Sequence, residues 1–278
     1  MNGPWATVAE GQRAPYALRE VPGVVGRIAA RKLGEVRRRA SVQGPLAPRV
    51  DEARGFEAAL RAPELALIAE LKPRSPSRGP IRPDASAADA AAWYGPRAHA
   101  ISVLCDGQDF GGSLELLGQV RSLVSQPVLC KDFVVSPYQI IEASARGADA
   151  ILLMCSLLPP HELKRALALC AEVGIDALVE THDEAELDEA LNAGATVIGV
   201  NARDLRTLEI DVSRAARLLE RLPSHVVRVA ESGLHSSTEL DLVRPVSDAC
   251  LVGTSLMSAE DPGLAAEALG WARREVRR

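Results

Sequence analysis

No apolar stretch of this chain approaches the ~20 residues needed to cross a bilayer. The first residues, MNGPWATVAEGQ, have neither the basic nor the apolar segment of a secretory leader. A membrane partner is therefore not expected. There is no excess of positive charge either: the formal charge is −5 over 278 residues, which disfavours nucleic acid as a partner. The cysteines Cys105, Cys130, Cys155, Cys170 and Cys250 are odd in number, form no C-x-x-C, and mostly lie in apolar patterns. They are expected to be reduced thiols of a cytoplasmic protein, not a disulfide framework. The histidines are scattered, with no H-E-x-x-H spacing, so no structural metal is expected.

What the chain does have is enough apolar residues for a large core, at 47%, which excludes global disorder. Residues 1–22 carry Gly3, Pro4, Pro15 and Pro22 without periodicity; the expectation is a poorly ordered or loosely docked arm. A helix is predicted over Val25–Ala40, with Val25, Ile28, Lys32, Val36 and Ala40 on one face. Arg37-Arg38-Arg39 on this helix reads as a solvated face. A short second helix is predicted over Phe56–Ala62, making residues 23–64 a helical extension ahead of a catalytic domain over 65–278.

From Leu65 onward, strand-length apolar runs alternate with helix-length amphipathic stretches. The runs are Leu65–Leu71, Ala100–Leu104, Pro127–Cys130, Ala150–Met154, Ala177–Val179, Thr196–Val200, Val226–Ala230 and Ala249–Val252. Near-continuous apolar character marks parallel strands buried on both faces. A doubly wound nucleotide-binding sheet needs a glycine-rich turn after its first strand, and Glu70-Leu71-Lys72-Pro73 stands there instead. Eight units favour closure into a (β/α)8 TIM barrel of the α/β class.

Barrel chemistry sits at the C-terminal strand ends. There the sequence delivers Glu70 and Lys72, Lys131, Glu180, Asn201 with Arg203, Glu231-Ser232-Gly233, and Gly253-Thr254-Ser255. Any one of these is more often a solvated strand end or an ordinary ion pair. Six polar ends on one rim point instead to a site, because Lys and Glu abut buried apolar runs only when paired or functional. Small residues after the seventh and eighth strands, with Ser75 in the first loop, suit a phosphate. Two neighbouring ammonium groups and burial would depress Lys72 and Lys131, while the carboxylates oppose this. General acid–base catalysis and a Schiff-base lysine both remain open at this point.

At these residues the chain resembles the indole-3-glycerol phosphate synthase family. The resemblance rests on I-A-E-L-K-P-R-S-P-S-R-G (Ile68–Gly79), I-S-V-L-C-D (Ile101–Asp106), F-G-G-S-L (Phe110–Leu114), K-D-F-V-V-S-P-Y-Q (Lys131–Gln139), L-V-E-T-H (Leu178–His182), G-V-N-A-R-D-L (Gly199–Leu205), A-E-S-G (Ala230–Gly233) and L-V-G-T-S-L-M (Leu251–Met257). It implies indole ring closure, decarboxylation and dehydration of 1-(2-carboxyphenylamino)-1-deoxyribulose 5-phosphate, a step of tryptophan biosynthesis, with no cofactor or metal. It further implies that the preceding helices lie over the barrel mouth.

Carried over by position, the resemblance makes Lys131 the general acid and Glu180 its partner carboxylate. Glu70 and Lys72 form the first-strand pair, and Asn201 orients substrate hydroxyls. Arg203 holds the substrate carboxylate or the local network, and Glu231 and Ser232 form the seventh-strand pair. Ser75, Gly233, Gly253 and Thr254 become phosphate ligands, while Phe110 and Phe133 flank the aromatic ring. Cys130 and Ala202 stand where the family often has Arg and Asn. The chain is expected to act as a monomer or weak homodimer. The rival readings are a phosphoribosyl-amine isomerase on the same fold, whose Cys or Asp base is not matched here, and a binding protein that has lost its chemistry.

Overall fold

The computed structural model describes residues 14–42, 46, 49, 51–204 and 207–271. Eight parallel strands close into a barrel: β1 (Ala66–Leu71), β2 (Ala100–Leu104), β3 (Val128–Lys131), β4 (Ala150–Met154), β5 (Asp176–Thr181), β6 (Val197–Asn201), β7 (Val227–Glu231) and β8 (Ala249–Val252). Each pairs with its sequence neighbours, and β8 closes on β1 with Ala66 opposite Ala249. All eight predicted runs are strands. Four of them, however, pair one or two residues beyond the end of their apolar pattern, so that Lys131 pairs with Leu104 and Asn201 with Glu231. Hydropathy marks where side chains stop being apolar, whereas the backbone ladder continues under the polar ones.

Two helices precede the barrel, α1 (Gly23–Val42) and α2 (Phe56–Arg61). Between and after the strands come α3 (Ala87–Tyr94), α4 (Gly107–Phe110), α5 (Leu114–Leu123), α6 (Pro137–Ala145), α7 (Pro160–Glu172), α8 (Glu184–Ala193), α9 (Val212–Glu220), α10 (Ser237–Val243), α11 (Thr254–Ser258) and α12 (Pro262–Ala268). Their starts are fixed locally. Ser113, Asp183 and Asp211 each accept a backbone N–H at an N-cap, and Ser86 forms a capping box with Asp89.

Side chains alternate across each strand, and this sorts the core into two layers. One face of the strands packs against the surrounding helices. The other points inward, where Ala66, Ile68, Leu129, Leu178, Val197, Val227, Val229, Ala249 and Leu251 form the barrel interior. Phe56 and Leu60 of α2 join that inner cluster, and Glu57 N donates to the Asp176 carboxylate at the start of β5. Thus α2 lies beneath the N-terminal ends of the strands.

The buried stripe of α1 is Val25, Ile28, Ala29, Lys32, Val36 and Ala40, matching the predicted face. The solvated reading of the arginine run holds for Arg37 and Arg38 but not for Arg39. Its guanidinium bridges to the buried Glu142 of α6 at 3.0 Å, because Arg39 lies one turn from the stripe and its length reaches across. Of the arm expected over 1–22, residues 1–13 lie outside the described residues. From 14 onward the chain lies along the barrel: Tyr16 is buried, its N–H donates to Val135 O at 2.9 Å, and that of Arg19 donates to Leu157 O at 2.9 Å. All five cysteines are buried and unbridged, and no described helix is long and apolar enough to cross a membrane.

At the end of the barrel beneath the strands, Asp149 is an electrostatic hub. Its Oδ1 accepts from Arg49 and from Arg54 N at 2.8 Å each, and its Oδ2 from Arg121 and Val128 N at 2.9 Å each. Its side chain is fully buried. Asp149→Ala is expected to cost about 3 kcal/mol of unfolding free energy, since two cations lose a buried anion. Denaturant titration checks this; a loss below about 1 kcal/mol would mean that solvent replaces the carboxylate.

Candidate active site

The inward alternation continues to the C-terminal rim and selects the polar side chains there. On β1 the inward series Ala66, Ile68 reaches Glu70 and then Lys72; on β3 Leu129 is followed by Lys131; on β5 Leu178 is followed by Glu180. On β6, Val197 and Gly199 lead to Asn201, and on β7, Val227 and Val229 lead to Glu231. All fourteen residues singled out in the sequence line one cavity at this rim. Val24, Val25 and Ile28 of α1 complete its wall.

Lys131 is the centre. Its Nζ lies 3.0 Å from Glu231 Oε2 and 3.4 Å from Glu180 Oε2. Lys72 Nζ lies 2.6 Å from Glu70 Oε1. Three carboxylates thus share two ammonium groups in a space largely closed to water. Burial alone would pull the Lys131 ammonium down, but Glu231, Glu180 and Glu70 outweigh it and hold its pKa above the ordinary lysine range. The depressed lysine considered from sequence is therefore not found at Lys131.

The carboxylates part ways. Burial would raise Glu180, but Lys131, His182 and a hydrogen bond from Asn201 keep it below its usual value. Glu231 is pushed up to about 7, by burial first and then by Glu180 and Glu70, despite the neighbouring ammonium. Glu231 and Glu70 would not fit without glycine opposite. A Cβ on Gly199 would lie 2.0 Å from Glu231 Oε1, and one on Gly253 would lie 2.2 Å from Glu70 Oε1. Sequence reading treated Gly253 only as a phosphate contact and overlooked Gly199.

Two differently built ends flank this centre. On one side the Phe110 and Phe133 rings lie 6.0 Å apart, inclined at 39°. They form an apolar wall between the loops after β2 and β3. On the other side, Ser232 and Gly233 both adopt left-handed backbone, with φ of 66° and 77°. For serine this is a strained conformation. Ser255 Oγ donates to Leu234 O at 2.8 Å, tying the loops after β7 and β8 together. Ser75 lies in the first loop, its Oγ accepting from Arg78 N at 3.3 Å.

That second end is rich in cations. His235 is pulled below the usual histidine range by burial and by Arg78, Arg203 and Lys72. Arg203 is held by Leu208 O at 3.2 Å, and its N–H donates to Asn201 Oδ1 at 3.0 Å. Arg78 and His235 were not selected from sequence, although Arg78 is next to last in the first motif string and His235 lies two residues beyond A-E-S-G. The arrangement can hold an anion at the cation-rich end, an aromatic ring against the phenylalanines, and a proton donor between them.

Comparison with known proteins agrees with this geometry. The family model described as indole-3-glycerol phosphate synthase matches residues 25–269. "Indole-3-glycerol phosphate synthase 2" of Streptomyces coelicolor is 50% identical over 220 residues, covering 78% of this chain and 85% of that protein. The indole-3-glycerol phosphate synthase of Mycolicibacterium vanbaalenii is 45% identical over 259 residues, covering 92% and 89%. Among solved structures, a thiamine phosphate pyrophosphorylase from Pyrococcus furiosus superposes with a TM-score of 0.56 at 17% identity, covering 74% of this chain and 94% of that one. A KGPDC from Streptococcus mutans does so with a TM-score of 0.56 at 19% identity, covering 74% and 96%. These two share the barrel fold alone. With a family match across the barrel and α1, and relatives near half identical over most of their length, the chain belongs to the indole-3-glycerol phosphate synthase family.

Proposed function

We propose that this chain converts 1-(2-carboxyphenylamino)-1-deoxyribulose 5-phosphate into indole-3-glycerol phosphate, CO2 and water. The observation that carries this reading is Lys131, held at 3.0 and 3.4 Å between Glu231 and Glu180, with an aromatic wall on one side and a cation-rich end on the other. The phosphate end is assigned to Ser75, Gly233, Gly253 and Thr254, with Lys72 nearby. The aromatic ring is assigned to the apolar wall that Phe110 and Phe133 form together, and Arg203 to the network around Asn201. Anchoring both ends brings the ring carbon that bears the carboxylate onto the ribulose carbonyl carbon, and this proximity supplies much of the acceleration.

In ring closure the aromatic carbon forms a bond to the carbonyl carbon, and the carbonyl electron pair moves onto oxygen. Lys131 delivers its proton to that oxygen. An ammonium held above its ordinary range gives a proton reluctantly to a carbonyl but readily to the developing alkoxide, so the transfer is concerted with bond formation. Glu180 remains ionised and stabilises positive charge developing on the anilino nitrogen. The carboxylate leaves as CO2, and its bonding pair restores the aromatic ring. The anilino nitrogen pair then expels the new hydroxyl, which takes a proton from Lys131 once Glu231 has recharged it and leaves as water, and the adjacent methylene loses its proton to Glu180 or Glu70. Asn201 and Ser232 orient the substrate hydroxyls, and Glu231, with its pKa of about 7, returns a proton to Lys131.

Incubating the purified chain with this ribulose phosphate is expected to produce an indole absorbance spectrum together with CO2. Lys131→Ala is expected to lower kcat by at least ~100-fold, the scale of a lost general acid; near-normal turnover would remove the mechanism. A second expectation concerns pH. An acid whose pKa rises on folding stabilises the fold fully below its ordinary value of 4.5 and no longer does so above its folded value of about 7. Glu231→Gln is therefore expected to gain stability relative to the unsubstituted chain between about pH 5 and about pH 8. Denaturant titrations at the two pH values read this directly, and a stability difference independent of pH contradicts it.

A further inference from the structure

Lys32 is among the most deeply buried side chains of the protein, at 2% exposure, yet it comes from α1, outside the barrel. Its Nζ lies 2.8 Å from Asp106 Oδ2 and 2.8 Å from Asp132 Oδ1, with Glu35 farther off at 3.6 Å. The two aspartates follow adjacent strands. Asp106 caps α4 by accepting from Asp109 N at 2.8 Å, and that four-residue helix ends on Phe110. Asp132 follows Lys131 and accepts from Phe133 N at 2.9 Å. Its other oxygen accepts from Gln139 Nε2 at 3.3 Å, and Gln139 also holds Phe133 O at 2.9 Å.

Each ring of the phenylalanine wall therefore hangs from one aspartate, and a single ammonium joins the two. Arg31 also touches Asp106, along with Asp109 and Glu35. Among the described residues, Lys32 is the cation that touches both Asp106 and Asp132. Two buried carboxylates this close repel unless a cation stays between them. Removing that charge would push the loops after β2 and β3 apart and split the Phe110–Phe133 pair, while among the described residues the ion pairs of the cluster involve only α1, Asp106, Asp109 and Asp132.

We propose that Lys32 is a positioning residue for the aromatic half of the substrate, setting the Phe110–Phe133 spacing through Asp106 and Asp132. The proposal rests on the reading that the carboxyphenyl ring packs on this phenylalanine wall.

The test is Lys32→Met in the full chain, with calorimetric titration of anthranilate and of inorganic phosphate, and measurement of KM and kcat. Anthranilate affinity is expected to fall and KM to rise about tenfold, the scale of a misplaced binding wall. Phosphate affinity should stay within about twofold of the unsubstituted chain, and kcat should fall less than KM rises. Arg39→Met removes a different ion pair of the same helix, about two turns from Lys32, and should leave both affinities unchanged. Equal weakening of anthranilate and phosphate, or no weakening of either, overturns the proposal. If Lys32→Met does not fold, Asp132→Asn keeps the cation on Asp106 and is expected to show the same selective loss; an unselective loss, or none, again overturns it. A wild-type chain that binds no anthranilate also overturns it. The titrations need no turnover, so a chain that makes no indole yet shows the selective loss would sink the functional reading and leave this proposal standing.

Discussion

The ammonium of Lys131 between Glu231 and Glu180 is the contact on which the rest of the molecule depends. A cation and two carboxylates inside a barrel are each costly to remove from water, and the cost is recovered only if they stay together. The closed ladder provides this. Neighbouring strands fix the heights of Lys131, Glu180 and Glu231 relative to one another, and alternation turns all of them inward. Gly199 and Gly253 leave the volume that the carboxylates occupy. With Glu70 and Lys72 added, three acids face two amines. One acid must carry less of its charge, and Glu231, the most crowded by its neighbours, is the one pushed up to about 7.

This imbalance gives the site a division of labour. Glu180 stays ionised beside a lysine that stays protonated, so charge stabilisation and proton donation are both available near neutrality. The flanking ends have other tasks and other architectures. The aromatic wall is made of side chains on short loops braced from α1 through Lys32. The cation-rich end sets Arg78, Arg203 and Lys72 around the loops after β7 and β8, with Ser232 and Gly233 bent into left-handed conformation and those loops tied by Ser255. Backbone N–H groups suit a phosphate because they approach closely and need no reorganisation.

Much of this was legible in the residues. The eight strands show as eight apolar runs, and the rim residues show because each interrupts such a run with a charge or an amide. The buried stripe of α1 was readable at helical spacing, Lys32 included. What that lysine does was not readable, because its partners Asp106 and Asp132 lie more than seventy residues away and no periodicity links them. The same holds for Arg39 and Glu142. Gly199 escaped because a glycine within a strand signals only a close approach, and what approaches is another strand's side chain. The balance at Lys131 needed the closed barrel: burial and the opposing carboxylates are both visible in the sequence, but which prevails depends on distances that only the fold sets.

Glu231 holds a proton near neutrality because burial, with Glu180 and Glu70 beside it, outweighs the pull of the Lys131 ammonium. Titrating the 13C-labelled glutamate carboxyls by NMR, with assignment through Glu231→Gln, measures this directly. The expected result is a Glu231 carboxyl that titrates near 7 while that of Glu180 remains ionised throughout the neutral range. Both carboxyls titrating together in the ordinary glutamate range would contradict the account.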